Sequence, residues 1–123
     1  MRIVGLLALV SALRGAESID ADALYGHWVV DPAAATAAQH DAVATATHVE
    51  NFGLTLTLRT ARIIFARDNL VAGIWRVDEA TPTTATLVVQ PKGGDERRYH
   101  LTLMKGLLVV AECPGQLPLS KGH

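Results

Sequence analysis

From Gly53 onward the apolar residues recur with a period of two, and this alternation constrains the fold more than any other feature. Leu54, Leu56 and Leu58 alternate with Thr55, Thr57 and Arg59, the pattern of a half-buried antiparallel strand. Arg62–Arg67 follows with Ile63 and Phe65 on one face, then the turn signal Asp68-Asn69. Val71–Asp78 comes next, then a loop around Thr81-Pro82-Thr83. Ala85–Gln90 sets Ala85, Leu87 and Val89 on one side. Lys92-Gly93-Gly94-Asp95 is a hairpin turn. Arg97–Leu103 pairs back with Tyr99, Leu101 and Leu103 facing one way. Lys105-Gly106 turns the chain again, Leu107–Glu112 is a further strand, and Gln116–Ser120 is a short last one. With Gly26–Val30 upstream, the chain carries seven to eight strands. The links are short, so neighbours are antiparallel. Such a meander closes into an up-and-down barrel, or stays open with a helix across one face.

The one departure from this period lies between the first two strands. Asp31-Pro32 supplies an N-cap oxygen and a residue suited to a first helical turn. Ala33–Glu50 is alanine-rich, with Ala35, Gln39, Ala42, Ala46 and Val49 on one helical face. We read a helix there that ends near Asn51 and Gly53. An alanine face lies close to a sheet but buries little area, so its docking is weak. A β-α-β-β-β-β open sheet of the cystatin type shares this order, but seven or eight strands are too many for it.

The start of the chain, MRIVGLLALVSAL, has one positive charge at Arg2 followed by an apolar stretch, as in a secretory signal. It is too short to span a bilayer. Two cleavage sites are offered: Val10-Ser11-Ala12, which makes a very short signal, and Ala16-Glu17-Ser18, which gives a signal at 1–18 and one domain at 19–123, enough for one core and too short for two. The expected location is outside the cytoplasm, periplasmic or secreted, with no integral membrane segment in the mature chain.

Two hexapeptides, Gly26-His27-Trp28-Val29-Val30-Asp31 and Gly73-Ile74-Trp75-Arg76-Val77-Asp78, share the pattern G-x-W-x-V-D. In a strand, each Trp and the following Val share a face, so both tryptophans are expected in the core. The first copy resembles the opening motif of the lipocalin and calycin barrels, with Gly26 and Trp28 at its two defining positions. From Leu24 to Lys121 the chain is similar to small bacterial exported lipocalin-like proteins, with Leu117-Pro118-Leu119 near the end. The resemblance implies a tryptophan at the closed end of the barrel with a basic residue stacked over it, for which Lys121 and Arg97 are candidates. The helix departs from the family pattern, because typical lipocalins carry theirs after the barrel.

The fold class expected is therefore mainly β: a small antiparallel, lipocalin-like barrel with one helix inserted after the first strand. Its function is read as binding a small hydrophobic molecule or lipid, with Trp28, Leu56, Phe65, Trp75, Tyr99 and Leu101 as apolar lining. The alternative is a filled-core structural or protein-interaction domain of the cell envelope. An enzyme is not expected. There is no G-x-S-x-G and no phosphate-binding loop, and no nucleophile is paired with a base. His40 and His48 are eight apart rather than four, so no metal site and no cofactor is expected. His27 and His100 sit opposite Trp28 and Tyr99 and face solvent. Cys113 is the only cysteine, which excludes an internal disulfide, and reads as a small buried residue. The net charge of -1 and 5% aromatic content argue against nucleic acid. Arg97 and Arg98 lie on opposite faces, which leaves one of them at the barrel mouth as a handle for a carboxylate; Arg76 is the second candidate.

Overall fold

A computed structural model describes residues 18–122. The proposed signal at 1–18 lies outside the described residues, apart from Ser18. Eight strands follow in up-and-down order: β1 (Gly26–Val30), β2 (Gly53–Leu56), β3 (Thr60–Ala66), β4 (Asn69–Asp78), β5 (Thr84–Pro91), β6 (Arg97–Met104), β7 (Leu107–Val110) and β8 (Leu119–Lys121). Every neighbour is antiparallel, and β8 returns to β1, so the sheet is a closed barrel rather than an open one. Closure rests on Trp28↔Lys121, Val29↔Ser120 and Val30↔Leu119, whereas β7 and β8 share only the pair Leu108↔Leu119. The last strand begins three residues later than the alternation suggests. Pro114–Gln116 forms a 3-10 turn first, with Gly115 at φ +73.

The period-two pattern sorts most of the chain as expected; Leu58 is the exception, because β2 ends at Leu56 and leaves it 74% exposed in the turn to β3. Leu54, Leu56, Ile63, Leu87, Leu101, Leu108 and Leu119 fill the interior. Arg62, Ile74, Arg76, Arg98, His100 and Thr102 face outward. Val88 is also an outward position, yet it is buried. It pairs with Arg76 and Arg98, whose guanidiniums reach Asp78 and Glu96 above it. The stems of long charged residues cover apolar surface in this way.

The continuous helix expected over Ala33–Glu50 is not formed. Two 3-10 turns, Pro32–Ala34 and Ala37–Gln39, precede the helix proper, which spans only His40–Thr47. A short helix, α1 (Ala21–Leu24), precedes β1, so His40–Thr47 is α2. The break is local chemistry. Thr36 adopts extended backbone, and Thr36 and Gln39 form a reciprocal capping box that restarts the helix inside the alanine run. Asp31 makes no side-chain capping bond. Its N–H donates instead to the Pro118 carbonyl, tying the end of β1 to the approach of β8.

Glycine is required where β1 and β2 cross. Gly53 has φ +131, and a Cβ there would sit 2.1 Å from the Trp28 carbonyl oxygen. Backbone cannot give way as a side chain tip can. Gly53→Ala is expected to lose about 2–4 kcal/mol in urea unfolding. Gly94→Ala, whose Cβ would meet only the Pro91 ring at 3.5 Å, is the control and is expected to stay within about 0.5 kcal/mol.

Candidate functional site

The register gives the barrel two unlike ends. At one end are the β2–β3, β4–β5 and β6–β7 connections together with α1. This end is closed. Leu24, at the last position of α1, is fully buried. The indole N–H of Trp28 donates to the Leu24 carbonyl at 2.9 Å. The Lys121 ammonium lies 5.4 Å from the Trp28 ring centroid, a cation–π distance. Lys121, not Arg97, is therefore the basic residue over the tryptophan. Gly26 leaves room for its stem, since a Cβ there would be 3.3 Å from Lys121 Cδ. Trp75 is at the same end but only half-buried. Its indole donates to the Thr57 carbonyl at 2.8 Å, and Tyr25 meets it edge-on at 5.8 Å. The two hexapeptides thus differ in burial.

The other end is the mouth, and the segment between β1 and β2 crosses it. Gln39 anchors that segment, because its side-chain amide donates to the carbonyls of Gly115 and Gln116 at 3.0 and 3.1 Å. Ala42 faces Gly115 so closely that a Cβ on the glycine would be 2.5 Å from the alanine methyl. Small residues on both sides permit this approach. Beneath the helix runs a chain of aromatic rings: Phe52 to Phe65 at 5.5 Å, and Phe65 to Tyr99 at 6.4 Å.

Between α2 and this rim opens a pocket of about 540 Å³ walled by Ala42, Ala46, Val49, Phe52, Phe65 and Pro114, with Thr45, His48 and Arg67 at its edges. The wall is mostly apolar and its size is that of a small-molecule site. Two of its polar groups are engaged: the Thr45 hydroxyl donates to the Asp41 carbonyl, and Arg67 to the His48 carbonyl. A second pocket of about 300 Å³ adjoins it through Phe65, Ala66 and Pro114, and is lined further by Val71, Arg97, Arg98, Tyr99 and Glu112. Burial pushes the Tyr99 hydroxyl above its ordinary range, and the charge of Arg97 opposes that.

The six residues expected to line a ligand site fall into three places. Phe65 and Tyr99 meet at the mouth. Trp28, Leu56 and Leu101 are 2%, 1% and 1% exposed and belong to the packed interior. Trp75 is at the closed end. The alternation did not point to Phe52 or the Ala42–Ala46–Val49 face as pocket wall. The signal for them was a stripe of small residues ending beside a phenylalanine. Of the candidate handles, Arg97 lies at the mouth, while Arg76 faces outward in ion pairs with Asp78 and Glu96. His27 is exposed and within 2.6 Å of the Thr55 hydroxyl. Among the described residues no group of three or more His, Cys, Asp or Glu is placed to hold a metal ion. No helix among them is long and apolar enough to cross a membrane. The chain matches no family model, no curated protein and no solved structure.

Two titrating groups beside the mouth report on its integrity. Burial acts to raise Glu112, but hydrogen bonds from the ring and backbone N–H of His100, at 2.6 and 2.7 Å, outweigh it and hold the carboxyl below its ordinary value. That stability is present above the unfolded pKa of Glu and is lost as pH falls through the lower folded value. Glu112→Gln is therefore expected to destabilise the protein at neutral pH, with the difference from wild type shrinking as urea titrations move into acid. Cys113 is buried, which pushes its thiol up to about 11. Iodoacetamide at pH 8 is expected to label it at least ~100-fold more slowly in the native protein than in urea.

Proposed function

We propose that this chain is an exported, lipocalin-like binding module rather than an enzyme, and that it takes a small apolar molecule at the barrel mouth beneath α2. The observation that carries this reading is the apolar pocket between α2 and the Phe52–Phe65–Tyr99 rim, set at the end opposite a plugged tryptophan. The Trp28–Lys121 stack and the Gly26-x-Trp28 start support a lipocalin-like reading. The signal-like start supports export. A small apolar ligand there removes its own surface and that of the rim from water, each contributing about 25 cal/mol per Å².

The packed leucine interior favours the second reading, a filled-core module that engages a protein instead of a small molecule. The two separate on one titration. N-Phenyl-1-naphthylamine, a neutral apolar probe that brightens on leaving water, is expected to bind with micromolar affinity to residues 19–123. Val49→Trp, which fills the pocket from its edge, is expected to weaken binding at least ~tenfold, about 1.4 kcal/mol, while circular dichroism and Tm stay near wild type. A probe that stays dark with the folded protein transfers the weight to the filled-core reading. Tryptophan emission is a poor reporter here, because both indoles are at the closed end.

A further inference from the structure

Closure of the barrel leaves the first residues of β4 without a neighbour on one side. β4 pairs with β3 from Asn69 to Ile74, but with β5 only from Gly73 to Asp78, because β5 ends at Pro91 and the chain turns away through residues 92–95. Pro91 also fixes which backbone groups are left over. Lacking an N–H, it cannot form a doubly bonded pair with Gly73, so the doubly bonded pair is the next one, Ile74↔Gln90. Backbone groups alternate in direction along a strand, so Ala72 and Leu70 also aim theirs to the β5 side. The β4–β5 ladder stops short of Leu70, and the Leu70 N–H and C=O meet no backbone partner on that side among the described residues. The Leu70 side chain is 54% exposed on the outer wall, with Ile64, its partner on β3, beside it and only half-buried. An open edge flanked by apolar side chains is a template for another strand.

We propose that this edge pairs with itself: the chain forms a two-fold dimer in which β3 and β4 of both copies make one four-stranded ribbon centred on Leu70. Sterics select this occupant. An antiparallel strand laid along the edge cannot run past Ala72, because Pro91 holds the place beside Gly73. The incoming strand must therefore turn within two residues of the one facing Leu70. β4 meets that condition itself, since Asp68, at φ +61, lies in the β3–β4 turn two residues before Leu70. A two-fold through Leu70 sets Leu70 opposite Leu70, and the unpartnered N–H and C=O of each copy satisfy those of the other. A two-fold centred on Val71 or Ala72 drives the turn into Pro91. Charge complements the same register. Asp68 and Lys92 are exposed, and neither forms an ion pair among the described residues. The Leu70-centred two-fold ends each Asp68 turn beside Lys92 of the other copy. On the outer wall the row Ile64–Leu70 continues into its own copy, giving four apolar side chains across four strands. The contact is small, so the dimer is a weak and concentration-dependent one. It is independent of the mouth as a ligand site.

Sedimentation equilibrium of residues 19–123, which contain the whole closed barrel, tests this. A monomer–dimer equilibrium is expected between roughly 10 µM and 1 mM. Leu70→Lys sets like charges opposite each other at the two-fold and is expected to raise the dimer Kd about tenfold or more, with circular dichroism and Tm of the dilute protein unchanged. Leu70→Pro removes the N–H on the open edge without touching the β3 ladder and is expected to weaken the dimer in the same way. Should the proline variant not fold, Leu70→Lys carries the test. Asp68→Asn and Lys92→Gln are each expected to weaken the dimer about twofold to fivefold, and the double variant to weaken it no further than either. A protein that stays monomeric to 1 mM overturns the proposal. So does a dimer that survives Leu70→Lys, since it is then built on another surface. A dimer that Leu70→Lys abolishes but in which the Asp68 and Lys92 effects simply multiply overturns the Leu70-centred register.

Discussion

Eight strands become a barrel only because the shortest of them, β8, finds β1. The pairing between β7 and β8 is a single position, so β8 is held mainly by Trp28, Val29 and Val30 across the seam. Trp28 is paired on one side to Leu54 and on the other to Lys121, so one residue bridges the first hairpin and the closing strand. Its indole is fixed below by the Leu24 carbonyl and capped above by the Lys121 ammonium. Burying an indole with its N–H satisfied gives the largest apolar contribution any one side chain makes without leaving an orphan donor. The barrel interior, the plugged end and the position of the mouth all follow from that seam. The Asp31–Pro118 backbone bond extends it toward the mouth.

Most of the strand pattern was legible because its physical cause is local. A residue on a two-sided sheet is either in or out, and Leu54-Thr55-Leu56, Ala85-Thr86-Leu87 and Tyr99-His100-Leu101 encode that directly. The Gly-x-Trp pair was legible for the same reason, but the basic residue over Trp28 was left between Lys121 and Arg97, and only the pairing of β8 with β1 puts Lys121 there. The connection between β1 and β2 was harder. Alanine content argued for one long helix, yet a Thr36–Gln39 box within it carries the stronger signal, because capping satisfies donors that propensity leaves open. Whether Trp75 is buried as deeply as Trp28 was not encoded in the repeat at all. It depends on what each strand's end meets, and Trp75 meets Tyr25 and a hairpin rather than a helix and a lysine stem.

The mouth was the least legible part, because it is assembled from four separate stretches. α2, the rim of β3, the start of β6 and the turn at Pro114 come together only through closure. The alternation marked Phe65 and Tyr99 as inward but gave no account of depth along the barrel axis. That depth separates a lining residue from a core one. Leu56 and Leu101 share the same inward parity and are packed in the core, whereas Phe65 stands at the register shift between Ile64 and Ala66, near the end of β3, and is only half-buried.

The weakness of the alanine face then acquires a role. A leucine face in place of Ala42 and Ala46 would fill the gap over Phe52 and Phe65 and seal the mouth. Alanine lets the backbone approach Gly115 at one end while leaving unfilled volume over the aromatic rings at the other. The same substitutions explain the polar anchoring. With little apolar area to hold it, the segment is fixed by the Gln39 amide on two carbonyls and by the Arg67 contact to the His48 carbonyl, both at its ends. A cover pinned at its ends and thin in its middle keeps its position while leaving room beneath. Among the described residues the opposite end is occupied by Leu24 and Trp28, so the open volume beneath the cover lies at the mouth.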